Sequence, residues 1–223
     1  MNQNIIYELL SEYWYYLMMF ILLIIGDWSF KHLNKVFSPK IKGMIGEYRV
    51  SKELSNLDNE KYDILNNLML DVNEKKSQID HVVISNYGIF VIETKNYQGW
   101  IFGDGNSKNW TQVLYKQKYK FYNPVWQNKG HIKAIKNKLP EFKEIPYYSI
   151  VVFTDKSTLK KINTKSKVIQ MSELLDEIKK HKKKVVKDGD KDIIINTLKS
   201  SNINNRKNRK SHVKEIKQML SKK

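Results

Sequence analysis

The chain contains no cysteine. Disulfide bridges and thiolate metal sites are therefore excluded, and the redox state of its compartment leaves no trace in the sequence. Acidic residues are scarce relative to basic ones: 23 Asp and Glu stand against 40 Lys and Arg, a formal charge of +17. An enzyme of small acids has no need of that excess, whereas a polyanion, either nucleic acid or an anionic membrane surface, is attracted by it. No internal repeat is visible. Long uncharged apolar runs are also missing. The one such segment near the start, Tyr13 to Ile25 (YWYYLMMFILLII), is roughly 20 Å of helix, short of a hydrocarbon core of about 30 Å. No Lys or Arg precedes it and no small-x-small cleavage site follows, which argues against a cleaved signal peptide.

What is present is a chain of 223 residues, 41% of them hydrophobic, enough for one domain with extensions. Extended to about residues 9–28, the apolar segment nears spanning length and takes in Glu12 and Asp27. Tyr13 to Tyr16 and Trp28 crowd its ends as an interfacial aromatic belt would, and Lys31, Lys35, Lys40 and Lys42 follow it. The expectation is that residues 1–36 form an N-terminal membrane anchor, a single-pass transmembrane helix in the cell membrane with the remainder cytoplasmic. The alternative is a buried helix of a globular domain.

Residues 37–180 read as one α/β domain with a mixed central sheet flanked by helices. Pro39 precedes a helical stretch, Ile41 to Leu57, and a strand-like stretch runs from Tyr62 to Leu70. Gly99 to Trp110 reads as loop and short strand. Asn123-Pro124 is a helix start, Asn as N-cap and Pro at the first helical position, and that helix should reach Leu139, ahead of Pro140. Tyr147 to Phe153 (YYSIVVF) is a run suited to burial on both faces. Val168-Ile169 is a further short strand, and Ser172 can cap a last helix over Glu173 to Lys180.

The chemistry concentrates in QIDHVVISNYGIFVIETKN, residues Gln78 to Asn96. Two apolar runs flank the turn cluster Ser85-Asn86-Tyr87-Gly88, as in a hairpin. Yet Asp80 interrupts the first run, and Glu93 and Lys95 the second. Alternation puts Asp80, Val82 and Ile84 on one face, and Ile89, Val91, Glu93 and Lys95 on one face. A two-residue turn at Asn86-Tyr87 sets Asp80 directly opposite Glu93; a turn one residue later sets it opposite Lys95. Two opposed carboxylates repel unless a cation binds between them or Lys95 screens them. In the helix ahead, Glu47 shares a stripe with Val50, Leu54 and Leu57, so a third carboxylate faces the sheet, at a cost unless it finds a cation or donors. Ile41, Ile45 and Tyr48 mark a neighbouring face.

Hard oxygen ligands of this kind suit magnesium or manganese. A divalent ion on Asp80 and Glu93, with the backbone carbonyl of Thr94 and with Glu47, fits hydrolysis of a phosphodiester. Lys95 is placed to position or help deprotonate the attacking water and to offset transition-state charge. The bland counterpart is an exposed hairpin carrying a Glu/Lys pair.

The segments KGMIGEYRV, QIDHVVISNYGIFVIETKNYQGWIFGD and NPVWQNKGHIKAI, in that order between Lys40 and Phe153, resemble the NERD (nuclease-related) domain, a branch of the PD-(D/E)xK nuclease superfamily. The resemblance implies a restriction-endonuclease-like core. It places Asp80, Glu93 and Lys95 at the signature positions, with Ile79 where the nominal proline stands, and Glu47 as the acid of the first helix. It also makes Gln127 look like the glutamine that borders the active site of related nucleases, a phosphate- or water-orienting group. His131, one helical turn on, is the weaker candidate. His81 points to the opposite sheet face and reads as structural.

Trp100, Trp110, Tyr115, Tyr119, Phe121, Tyr122 and Trp126 suit either core packing or stacking on unpaired bases. Residues 181–223 form a basic C-terminal tail with a short apolar element within Asp190 to Leu198 and an amphipathic pattern at Val213, Ile216 and Leu220. That tail suits a backbone clamp on DNA or RNA, or contact with anionic lipid. The expectation is a membrane-tethered, magnesium-dependent nuclease, with manganese as the other candidate ion, acting on nucleic acid with DNA favoured. The competing readings are a catalytically silent nucleic-acid-binding module and a membrane protein that uses its tail on lipid.

Overall fold

The computed structural model describes residues 3–72 and 75–204; the expected amphipathic pattern at Val213, Ile216 and Leu220 lies outside them. The first helix, α1, runs Gln3–Leu54 and includes Pro39, where a boundary was expected. The chain divides into two compact units, Met1–Met44 and Ile45–Lys223.

In the first unit the apolar segment is helical, and within that unit Tyr13 to Tyr16 and Phe20 to Ile25 are exposed, so the unit by itself does not support the buried-helix alternative. The expected transmembrane helix is also unsupported: among the described residues no helix is long and apolar enough to cross a membrane. The uncharged run itself, Tyr13 to Ile25, is only about 20 Å of helix against a hydrocarbon core of about 30 Å.

The second unit is built on two sheets. The first has the order β1-β2-β3-β7-β9, from β1 (Tyr62–Val72), β2 (Lys75–Ser85), β3 (Gly88–Lys95), β7 (Tyr147–Phe153) and β9 (Lys167–Gln170). Its first three strands are antiparallel and its last three parallel, the mixed sheet expected. The second sheet has the order β6-β5-β4-β8, from β4 (Gly99–Asp104), β5 (Asn109–Leu114), β6 (Gln117–Tyr122) and β8 (Ser157–Asn163). Here β4 pairs antiparallel with β5 and parallel with β8.

Helices cover both faces of the first sheet. The end of α1, which stops at Leu54 instead of the expected Leu57, buries Val50 and Leu54, with Leu57 in the turn just beyond, against Val83, Phe90 and Ile92, while Ile41, Ile45 and Tyr48 are exposed, which fixes the stripe that carries Glu47. α3 (Leu174–Lys179) joins this side through Leu174 and Ile178. It follows a short 3-10 turn capped by Gln170 and Glu173, so Ser172 is not its cap. α2 (Pro124–Lys138) covers the other face with Ala134 and Ile135. It starts where Asn123-Pro124 implied: the Asn123 side chain accepts from Val125 N at 2.9 Å. α4 (Asp188–Ser200), beyond Lys180, buries Ile194, Ile195 and Leu198 in the same cluster as Val82 and Ile84. A third cluster, Ile101, Trp110, Val125, Val151 and Phe153, joins the two sheets.

Candidate active site

The β2–β3 hairpin turns on Asn86-Tyr87, with Ser85 opposite Gly88 and the ladder running to His81 opposite Ile92. That is the register that aligns Asp80 with Glu93, but the ladder stops one residue short of them. On its other side β2 pairs with β1 at Ile79–Leu68 and His81–Asn66, and again skips Asp80, whose counterpart Asn67 has φ +59°. Asn is among the few residues that adopt this left-handed conformation at modest cost. Asp80 is thus absent from both ladders. Its side chain substitutes for a strand carbonyl, with Oδ2 accepting from Thr94 N at 2.8 Å.

Glu93 is 2% exposed, and both of its oxygens are engaged. Oε1 accepts from Lys95 Nζ at 2.7 Å, and Oε2 lies 3.0 Å from His131 Nε2. Lys95 Nζ also donates to Gln127 Oε1 at 3.0 Å. His131 Nδ1 lies 2.8 Å from Ser77 Oγ. α2 therefore brings two side chains to the charged trio, one turn apart. Between them Asn128, fully buried, donates to Val91 O, Ser149 Oγ and Ile150 O, which pins the helix to β3 and β7.

α1 approaches the same end of the sheet at Gly46. A Cβ there would lie 2.6 Å from Asn96 Cβ and 3.5 Å from Thr94 Cγ2. This close passage places the next residue, Glu47, near enough to Asp80 to act on its charge.

Electrostatics separate the two central acids. Burial, then the charges of Glu93 and Glu47, push the Asp80 carboxyl well above the usual carboxylate range; the Thr94 N–H and Lys95 oppose this less strongly. Glu93 is also pushed up by burial, but Lys95 and His131 together outweigh that and hold it below the ordinary value. Burial works to deprotonate Lys95, yet Glu93 and Asp80 keep its pKa above the ordinary lysine value. Paired groups whose environments drive them in opposite directions are typical of sites that handle protons and charge. His81 faces away as expected, bonded through Nδ1 to Asn66 Oδ1 at 2.7 Å and lowered to about 4 by burial.

The structure thus gathers Glu93, Lys95 and Gln127 into direct contact, with Asp80 and Glu47 as charged neighbours. His131, weighted lightly from sequence, touches Glu93 directly; its spacing from Gln127 was the available signal. Ser77, Asn128 and Gly46 gave no sequence signal, because their roles depend on partners distant along the chain. The donor set fits a hard divalent cation: Asp80 is raised by burial first and then by the charges of Glu93 and Glu47, and an ion among the three acids would relieve that repulsion. Among the described residues no three His, Asp or Glu side chains already converge on one point as an ion would require.

Of the expected aromatic set, Trp110 is buried and Phe121 packs beside it, whereas Trp100, Tyr115, Tyr119 and Tyr122 are exposed.

Residues 42–154 match the family described as "Nuclease-related domain" (NERD). An uncharacterized protein of Bacillus anthracis is 36% identical over 182 residues, covering 80% of this chain and 85% of its own. No solved structure matches.

Proposed function

The chain belongs to the nuclease-related domain family, and from that premise we propose that it is a divalent-metal-dependent nuclease that hydrolyses the phosphodiester bonds of nucleic acid, DNA in preference. The observation that carries this reading is the contact of Glu93, Lys95 and Gln127 beside an Asp80 released from both strand ladders.

Asp80, Glu93 and Glu47, with the carbonyl of Thr94, are the groups that would hold magnesium or manganese. When bound, the ion polarises the scissile phosphate and acidifies a water. The chain's own residues supply the rest. Lys95, kept protonated by its acidic neighbours, serves as a fixed positive charge for a phosphate gathering negative charge, rather than as a base. Gln127 steadies the ammonium through its oxygen and leaves its amide N–H groups for a phosphate or water. His131 holds Glu93 in one orientation.

Attachment to the cell membrane, with the nuclease domain on the cytoplasmic side, belongs to the same reading. It is supported by the exposed side chains of Tyr13 to Tyr16 and Met18 to Ile25 and by the lysines that follow and do not precede them. Extraction of the membrane fraction with alkaline carbonate tests it; a protein that never sediments with membranes would remove this part.

A second reading has its own support. Both oxygens of Glu93 are engaged by protein donors, a closed arrangement that suits a catalytically silent nucleic-acid-binding module. One experiment separates the two. Full-length protein is incubated with labelled DNA and RNA in magnesium, manganese or EDTA. Metal-dependent cleavage that Glu93→Gln abolishes supports the nuclease; binding without cleavage in either metal supports the silent module.

A further inference from the structure

We propose that the outward face of the second sheet is a stacking platform for unpaired nucleotides, so that the nucleic acid engaged by this protein is single-stranded, at least where it lies on that face. The proposal takes from the nuclease reading only what happens to the strand after it binds.

Register defines the face. Trp100 pairs with Val113 and Phe102 with Thr111; Val113 pairs in turn with Lys118 and Thr111 with Lys120. Directly paired residues share a face, so these six stand together. The opposite face carries Ile101 and Trp110, both buried against Val125, Val151 and Phe153. Within one small sheet, therefore, Trp110 is 1% exposed and Trp100 is 52% exposed. A single exposed ring is ordinary, but an exposed apolar patch rimmed by polar side chains marks an interaction site, and Trp100 lies in one. Lys160 Nζ sits 5.1 Å from the centre of the Trp100 ring, and Lys120 Nζ is held by Thr111 Oγ1 at 2.7 Å. Strands β5, β6 and β8 contain no acidic residue at all.

The tip of the β5–β6 hairpin points the same way. Its two central residues, Tyr115 and Lys116, have φ +48° and +67°. A two-residue turn of this kind is normally built from Asn and Gly; a Tyr and a Lys hold it under strain. The result is a phenol ring 89% exposed with a lysine beside it. An open groove of about 580 Å³ lies between this tip and Trp100, lined by Gln98, Val113, Tyr115, Lys116 and Lys156 as well as Trp100 itself.

Exposed rings interleaved with lysines match a chain of free base faces joined by phosphates. A duplex keeps its base faces stacked inside and would use the lysines alone. The platform also adjoins the candidate active site. Lys95 and Phe153, paired at the ends of β3 and β7, lead within a few residues into Gly99 and Ser157, paired at the starts of β4 and β8. Four peptide steps hold Lys95 and Gly99 within about 15 Å of each other.

Fluorescence anisotropy of the full-length protein in EDTA, where cleavage does not intervene, tests the platform with three probes. These are a labelled oligothymidylate, an abasic chain of the same length and a blunt duplex. Trp100→Ala should weaken oligothymidylate binding about tenfold and leave the abasic chain and the duplex unchanged. Tyr115→Asn, which keeps a residue tolerant of the turn, should act in the same direction, and Trp100→Phe should retain most of the affinity. No loss on oligothymidylate, or an equal loss on the abasic chain, overturns the proposal. So does a Trp100→Ala variant that loses only binding to phosphatidylserine vesicles, which would assign the face to lipid. Trp100-dependent binding without cleavage in any metal keeps the platform and removes the nuclease; cleavage without any Trp100 dependence does the reverse.

Discussion

His131 and Glu93, thirty-eight positions apart, meet at 3.0 Å between Nε2 and Oε2, and the other ring nitrogen of the histidine lies 2.8 Å from Ser77 Oγ. The histidine thus ties β2 to the central acid of β3 through α2. Replacing it with Phe should leave one buried carboxylate oxygen without its donor and cost about 1–3 kcal/mol. Urea denaturation measures this. An unchanged midpoint would mean that water replaces the imidazole at no cost and that the contact is incidental.

Lys95→Ala should lower the cleavage rate by about a hundredfold or more while substrate binding changes little, if the ammonium acts mainly on the transition state. Glu93 and Asp80 raise the Lys95 pKa, so the group stays charged from neutral pH to above the ordinary lysine value. The wild-type rate should therefore show no rise that tracks deprotonation of this lysine. A pH–rate profile whose alkaline increase disappears in Lys95→Ala would reveal a base instead.

Two glycines of α1 make a paired test. A Cβ at Gly43 meets nothing within 4 Å, so Gly43→Ala should stabilise by about 1 kcal/mol through helix propensity. A Cβ at Gly46 falls 2.6 Å from Asn96 Cβ, so Gly46→Ala should instead destabilise by about 1–3 kcal/mol. It should also reduce cleavage, because Glu47 moves with the helix. Equal stabilisation by both substitutions would show that α1 does not pass the sheet so closely.

Tyr147 predicts an alkaline limit. Burial raises its phenol to about 12, and its hydroxyl donates to Phe142 O at 3.0 Å. In the unfolded chain the phenol ionises near 10. Between those values the folded state keeps a proton that the unfolded state has lost, so stability falls as pH rises from about 10 towards 12. Tyr147→Phe should be less stable at neutral pH but should lose less of its stability across that window. Parallel losses in the two proteins would place the alkaline transition on other groups.

The parts of this fold that were legible in sequence are those written in local signals. Ser85-Asn86-Tyr87-Gly88 gave the hairpin turn, Asn123-Pro124 the start of α2, and YYSIVVF the interior strand β7. The stripe of Glu47, Val50 and Leu54 gave the packing face of α1, although the helix stops before Leu57. The second sheet was largely hidden. Its β5–β6 turn uses Tyr115 and Lys116 instead of Gly or Asn, and β8 reads STLKKIN, with adjacent lysines that break the alternation. At the site, spacing brought Asp80, Glu93 and Lys95 together, and a hydrogen bond across the sheet supplied what spacing lacks. The Asp80 side chain takes an amide of β3, an arrangement with no pattern in the one-dimensional chain.

That last bond has a spectroscopic consequence. The amide proton of Thr94 is held by a carboxylate instead of a peptide carbonyl, so whatever alters the charge of Asp80 alters the electron density around that proton. In a nitrogen–proton correlation spectrum the Thr94 resonance should stand downfield and move when the carboxyl is protonated, substituted or compensated by a cation. Its deuterium exchange should accelerate in Asp80→Ala while that of Ile92, on the intact ladder, stays slow. A single backbone signal then reports the state of Asp80 without any substrate present.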